Sequence, residues 1–242
     1  MKNNQSSAQK VEQLGRYGVS LSDMPKEAFK GQGKIVFTTL RKKFGLIGLL
    51  PFALQVLRER HRLLKRYADE YVDLRALTPK GAKEITMLIS MFNVIARRES
   101  RDEAYEFVKG IFQGVARQSM PAIYQLDDLL HCEGDVFDNF KKFNVAMFKA
   151  GERDFHVRAT EENDNHLRIV VDRCLNVDAG RMLGCPEISQ LGCDHDLAGY
   201  PPIEDKLNME FRRPTTIAKG DSCCEFNFYR KGCAPAGAYV NK

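Results

Sequence analysis

The 242-residue chain carries 37 lysine and arginine against 32 aspartate and glutamate residues, a formal net charge of +5, and 43% of it is hydrophobic. That length and apolar share suffice to bury a core without staples, and so mild a basic excess falls short of a nucleic-acid-binding footprint. Seven cysteines, an odd number, with no uninterrupted apolar run near the start, predict reduced thiols in a cytoplasmic protein rather than an exported disulfide scaffold.

Residues 1–30 are expected to form a flexible segment ahead of one α+β domain spanning 31–242. The uncharged stretch FGLIGLLPFALQVL (44–57) is shorter than the roughly 20 residues needed to cross a bilayer and contains Pro51, so it predicts a buried helix. The basic runs beside it, RKK (41–43) and RERHRLLKR (58–66), read as a solvated helix face. From Lys80 to Arg98, Ile85, Leu88, Ile89, Phe92, Ile95 and Ala96 recur at spacings of three and four, which predicts an amphipathic helix started by Thr78 and Pro79. A second is expected over 101–118, with Ser100 before it and Asp102 and Glu103 in the first turn, where acidic groups complement the helix dipole. Helices should dominate to about residue 150.

After Gly151 the period changes. DFHVRAT and HLRIVVD around the turn-rich EENDN predict a hairpin with strands near 153–160 and 166–173. LNMEFRRPTTIA and CCEFNFYRK around KGDS predict a second, with strands near 207–217 and 223–230 and Gly220–Asp221 in the turn. Between the hairpins, glycines and prolines break the chain into a short helix near 177–183 and an ordered loop. Helices first and strands grouped after them imply an α+β fold, a helical N-terminal half packed on a C-terminal antiparallel sheet built from two hairpins.

The chemically loaded residues fall in this second half: Cys174, Cys193, Asp194, His195, Asp196, Cys223 and Cys224. Cys174 closes a strand, where a free cysteine serves as core filler or as a reactive thiol. Cys224 shares the strand phase of Phe226 and Phe228, so it is expected inward and Cys223 outward. The gaps of 19 residues from 174 to 193 and 31 from 193 to 224 lack the close cysteine pairs of a structural zinc site, so a metal-free, cofactor-independent site is expected. Cys193 has carboxylates one and three residues away and an imidazole two away, groups able to position or deprotonate a thiol or a water. Neighbouring carboxylates alone oppose a thiolate, so activation needs the histidine or an arginine from elsewhere. Arg212 and Arg213 have opposite strand phases, so one of them faces the pocket side, where a guanidinium can hold a carboxylate through two hydrogen bonds. No phosphate loop, G-x-S-x-G elbow, HExxH or dinucleotide turn is present, which disfavours nucleotide and serine-hydrolase chemistry.

Taken in order, VVDRC ending in Cys174, the LGCPEI segment, the C-x-x-D element from Cys193 to Asp196, TTIAKGD, and Cys224 with Phe226 resemble the L-2-amino-thiazoline-4-carboxylate hydrolase family. The resemblance covers mainly 167–230, with a helical agreement over 35–150. The glycine followed by C-x-F is also similar to the 4-vinyl reductase type of small-molecule-binding domain. Both resemblances imply a helix-plus-sheet fold with a ligand pocket near the cysteines. The first implies opening of a thiazoline ring to N-carbamoyl-L-cysteine, with Cys193 and Asp196 catalytic. On that reading Cys193, or a water held by Asp196, supplies the nucleophile, and Arg212 or Arg213 clamps the substrate carboxylate. Cys174, Cys224 and His195 then complete the substrate site, while Asp194 and His195, between the matched pair, are expected to face solvent and to be more dispensable. The partner implied is a small-molecule substrate, not nucleic acid or membrane, and a homo-oligomer is compatible with it. The other class of function, a non-catalytic binding or sensory domain, uses the same cysteine-lined pocket. Cys233 and the tail GCAPAGAYVNK lie beyond the shared pattern.

Overall fold

The computed structural model describes residues 7–16 and 26–236. Among the described residues seven α-helices come first: α1 Ser7–Gly15, α2 Gln32–Arg66, α3 Ala68–Leu77, α4 Pro79–Ala96, α5 Arg101–Ile123, α6 Leu126–Leu130 and α7 Val136–Ala150. Residues 1–6 and 17–25 of the segment expected to be flexible lie outside the described residues. Within that segment α1 packs against α7 with Val11 fully buried.

Local chemistry accounts for the helix starts. Pro79 opens α4, where its missing N–H leaves no hydrogen bond broken. Ser100 and Glu103 form a reciprocal capping box on α5: the Glu103 N–H donates to Ser100 Oγ at 3.2 Å, and the Ser100 N–H to Glu103 Oε2 at 2.8 Å. On α4 the expected apolar face is the buried one, with Ile85, Ile89, Phe92 and Ile95 inside. α5 extends past its expected end, through Pro121, where the burial of Met120 and Ile123 holds the helix.

Residues 44–57 are helical, as part of α2, but they are not buried as expected. Phe52 and Val56 face the core, whereas Leu46, Ile47, Leu50, Leu54 and Leu57 are exposed, Ile47 at 93%. A helix laid on one side of its neighbours buries only a stripe, and here the stripe runs through Phe52, Val56, Glu59 and Leu63. Gly45, with φ 68°, breaks the helical path at the start of this segment.

The sheet contains β1 Phe155–Asn163, β2 His166–Cys174, β3 Met209–Arg212 and β4 Cys224–Arg230 in the order β1-β2-β4-β3, antiparallel throughout. Its inner face packs on α7 through edge-on contacts of Phe140 with Phe228 and Phe148 with Phe226, at 5.2 and 5.3 Å between ring centroids. The α+β architecture is therefore the expected one. The second hairpin is looser than expected: β3 stops at Arg212, because Pro214 has no N–H for the ladder and Arg213 turns into the interior. Residues 213–223 form an irregular connection with a single 3-10 turn, Ile217–Lys219, closed by Gly220 at φ 97°.

Between the hairpins lie α8 Leu175–Met182, α9 Leu191–Gly199 and α10 Pro201–Glu204. The stretch expected to be a loop, GCDHDLAG, is thus the body of α9. Tertiary packing overrides the poor helix propensity of its two glycines: α9 lies so close to α5 that a β-carbon at Gly199 would collide with Met120. Buried apolar residues form two clusters. One centres on the sheet, α7, Tyr124 and Tyr200, the other on α2–α5 with Leu175, Ile188 and Leu191.

Candidate active site

A cavity of about 420 Å³ lies between these clusters and draws its walls from both. Helical geometry puts Cys193, Asp196 and Tyr200 on one face of α9 and its extension, three and then four residues apart, and all three line the cavity. Cys174, at the end of β2, and Cys224, at the start of β4, reach the same space. The three cysteines expected to converge therefore do so, from a strand end, a helix and a second strand.

Arg213 organises this end of the cavity. It is fully buried, and its guanidinium donates through Nη1 to Asp196 Oδ2 at 2.9 Å and through Nη2 to the Cys193 carbonyl at 2.7 Å. These two bonds tie the strand end to α9 and fix the Asp196 carboxylate. The other carboxylate oxygen, Oδ1, stands 3.7 Å from His195 Nδ1. Arg212 points elsewhere: it donates to Glu210 Oε2 and to the Phe211 carbonyl, both at 2.8 Å, and does not reach the cavity wall.

The TTIAKGD segment builds a second support. The Thr216 N–H donates to Asp221 Oδ2 at 2.8 Å, closing the loop around Gly220. The buried Thr216 hydroxyl then sits 3.0 Å from Cys193 Sγ and accepts from Cys224 Sγ at 3.5 Å, while the Ile217 N–H donates to Cys224 Sγ at 3.3 Å. One hydroxyl thus bridges two of the cavity's thiols. Thr216 was not singled out in the sequence; the usable signal was its place in the TTIAKGD match.

Asp194 was expected in solvent. It is 5% exposed and accepts a hydrogen bond from the Tyr105 hydroxyl of α5, because the helical path of residues 191–199 turns it toward α5 rather than outward. Cys223, expected outward, is buried as well at 6%, since it precedes β4 and falls outside the strand's alternation. His195 lines the cavity. Tyr200 and Tyr124 hydroxyls lie 2.7 Å apart, and Tyr124 donates to Asn144 Oδ1 at 3.0 Å, a polar chain behind the site that satisfies phenols otherwise costly to bury.

Burial sets the protonation of the thiols. It pushes Cys174 up to about 12, against the backbone N–H groups of the first turn of α8. Burial also raises Cys193, opposed by the Arg213 charge and the Thr216 hydrogen bond. A raised thiol pKa means that the thiolate appears only above the ordinary range. We therefore expect iodoacetamide to modify Cys193 slowly at neutral pH, with a rate that climbs only on the alkaline side of free cysteine. Measurement by peptide mass spectrometry would show the opposite, fast labelling near neutrality, if the site stabilised a thiolate. Among the described residues, no three histidine, cysteine, aspartate or glutamate side chains are grouped to hold a metal ion, and no helix is long and apolar enough to cross a membrane.

A family model described as L-2-amino-thiazoline-4-carboxylic acid hydrolase matches residues 82–228, more than half of the chain. The match takes in most of α4, all of α5 and α9 and the sheet up to Phe228, and with them Cys174, Cys193, Asp196, Arg213, Thr216 and Cys224, while Gln32, Val36, Thr78 and Gly81 of the cavity wall lie before it. No curated protein and no solved structure matches the chain.

Proposed function

Because the chain belongs to the L-2-amino-thiazoline-4-carboxylic acid hydrolase family, we propose that it hydrolyses a small cyclic amidine-like compound, such as 2-amino-thiazoline-4-carboxylate, by breaking the carbon–sulfur bond of the ring. The observation that carries this reading is the meeting of Cys193, Asp196 and Arg213 at the polar end of one cavity. The reaction needs a nucleophile at the carbon between nitrogen and sulfur, a base for its proton and a donor for the departing sulfur.

On this reading water is the nucleophile, because burial keeps the Cys193 thiol protonated. The Asp196 carboxylate, held in place by Arg213, orients the water and takes its proton as the oxygen adds to the ring carbon. The carbon–sulfur bond then breaks, Cys193 gives its proton to the leaving sulfur and is reprotonated from Asp196, and the carbon becomes a carbamoyl carbonyl. One water is consumed: one of its hydrogens ends on the sulfur, the other on the ring nitrogen, and the product is N-carbamoyl-L-cysteine. Of the two arginines considered for the substrate carboxylate, Arg213 is the one on the cavity wall. Thr216 holds Cys193 in position.

Incubation of the purified protein with 2-amino-thiazoline-4-carboxylate should release one titratable thiol per substrate consumed, with N-carbamoylcysteine identified by mass spectrometry. No thiol release at millimolar substrate would overturn this assignment. The apolar bulk of the cavity favours a second reading, a non-catalytic small-molecule-binding domain, and that same null result with retained ligand binding would select it.

A further inference from the structure

Away from Cys193 and Asp196 the cavity is lined largely by hydrocarbon. Leu88 and Met91 of α4 and Phe112 and Val115 of α5 all line it, and all four are only partly buried. Phe148 and Phe226 line it from α7 and the sheet. Gln32, Glu84 and Asp154, also on the wall, are exposed or half-exposed and mark where the cavity meets solvent. An apolar surface of this kind, framed by polar residues, is the form of a ligand groove. Its volume of about 420 Å³ falls in the range of roughly 300–1,000 Å³ that receives ligands of drug size. A single five-membered ring with one carboxylate leaves most of that space and most of those side chains without a partner.

Two further atoms point the same way. The hydroxyls of Ser119 and Ser189, on cavity-lining residues only 1% and 4% exposed, have no hydrogen-bond partner. Buried hydroxyls are normally satisfied, and an acceptor on a ligand long enough to leave the reacting end would satisfy them. A ligand with one anionic end places that end toward Arg213, a guanidinium on the cavity wall.

We infer that the preferred substrate is amphipathic: an amidine or thioimidate head bearing a carboxylate, placed against Cys193, Asp196 and Arg213, and an aliphatic or aromatic body lying along the walls made by α4 and α5. The inference rests on the proposed active site being where the head binds. Hydrophobic transfer then sets affinity, at about a fourfold gain for each methylene buried.

Titration calorimetry of the purified protein with straight-chain carboxylates from butanoate to dodecanoate tests the body separately from the chemistry. The dissociation constant should fall about fourfold per methylene over several members and then level as the cavity fills. Val115→Trp, which places a large ring in that wall, should make the series level at a shorter chain. Leu88→Phe repeats the test from α4 if the first variant does not fold. Affinity independent of chain length, or a series unchanged by a folded wall variant, overturns the inference. For turnover, a 5-alkyl thiazoline carboxylate should be hydrolysed with at least tenfold higher kcat/KM than the unsubstituted ring, and equal or lower values count against an apolar body. A chain-length series without hydrolysis of any thiazoline sinks the hydrolase reading and keeps the amphipathic ligand. Hydrolysis of the parent ring with a flat series does the reverse.

Discussion

Asp196→Asn is expected to abolish thiazoline turnover and to lower stability by about 3 kcal/mol or more. Both effects follow from one geometry. Arg213 has no exposed surface, and its charge is balanced at 2.9 Å by Asp196. Removing the charged partner of a buried guanidinium costs about 3–5 kcal/mol. A loss of activity in this variant alone is therefore ambiguous, and a second variant resolves it. Asp196→Asn with Arg213→Met removes both charges and should recover much of the lost stability, read as the urea midpoint, while turnover stays absent. Full activity in folded Asp196→Asn protein would end the catalytic role of the carboxylate. His195→Ala should be milder, because the imidazole stands 3.7 Å from Asp196 rather than in a direct hydrogen bond. Abolished turnover in His195→Ala alone would move the base to the imidazole.

Cys193→Ser should reduce turnover by about a hundredfold or more, the usual scale for loss of a positioned proton donor, with stability changed by no more than about 1 kcal/mol. The hydroxyl can keep the hydrogen bond to Thr216 and nearly the same volume, but it is a far weaker acid than a thiol, so it protonates the leaving sulfur poorly. Cys224→Ser serves as the control, since that thiol shares the Thr216 contact without a place in the chemistry. Kinetics and thermal melting of the two variants side by side separate the roles. Equal turnover losses in both would show that the hydroxyl bridge at Thr216 matters and the identity of the thiol does not. Turnover at the parent rate in Cys193→Ser would remove Cys193 from the mechanism.

The periodicity of α4 and the alternation of Met209 with Phe211 and of Phe226 with Phe228 were legible because residues of one buried face recur at a fixed spacing. The convergence of Cys174, Cys193 and Cys224 was legible for a different reason: they fall on a strand end, a segment expected as a loop, and an adjacent hairpin within a recognisable ordered motif. Thr216 and Tyr105 were not legible, as neither a threonine in a turn nor a tyrosine on a helix carries a local signal of what it will touch. Asp194 was misplaced for the same reason as α9 itself: the two glycines of GCDHDLAG argued for a loop, and the rotation of every side chain in the segment depends on its being a helix.

By itself the sequence determined the helical half before residue 150, the antiparallel sheet following the helices, and the family. Those are consequences of local propensity, period and motif, each read within a few residues. Only the tertiary structure decided that α9 is a helix, that Arg213 rather than Arg212 enters the interior, and that the thiols share one threonine. It also decided that the apolar run of α2 stays largely at the surface while half-buried residues of α4 and α5 line a cavity. The physical reason is that hydrophobicity specifies that a side chain should leave water but not what it meets. That choice is made by the close approach of α9 to α5 at Gly199 and by the need to pair a buried guanidinium, both set by residues far apart in the chain.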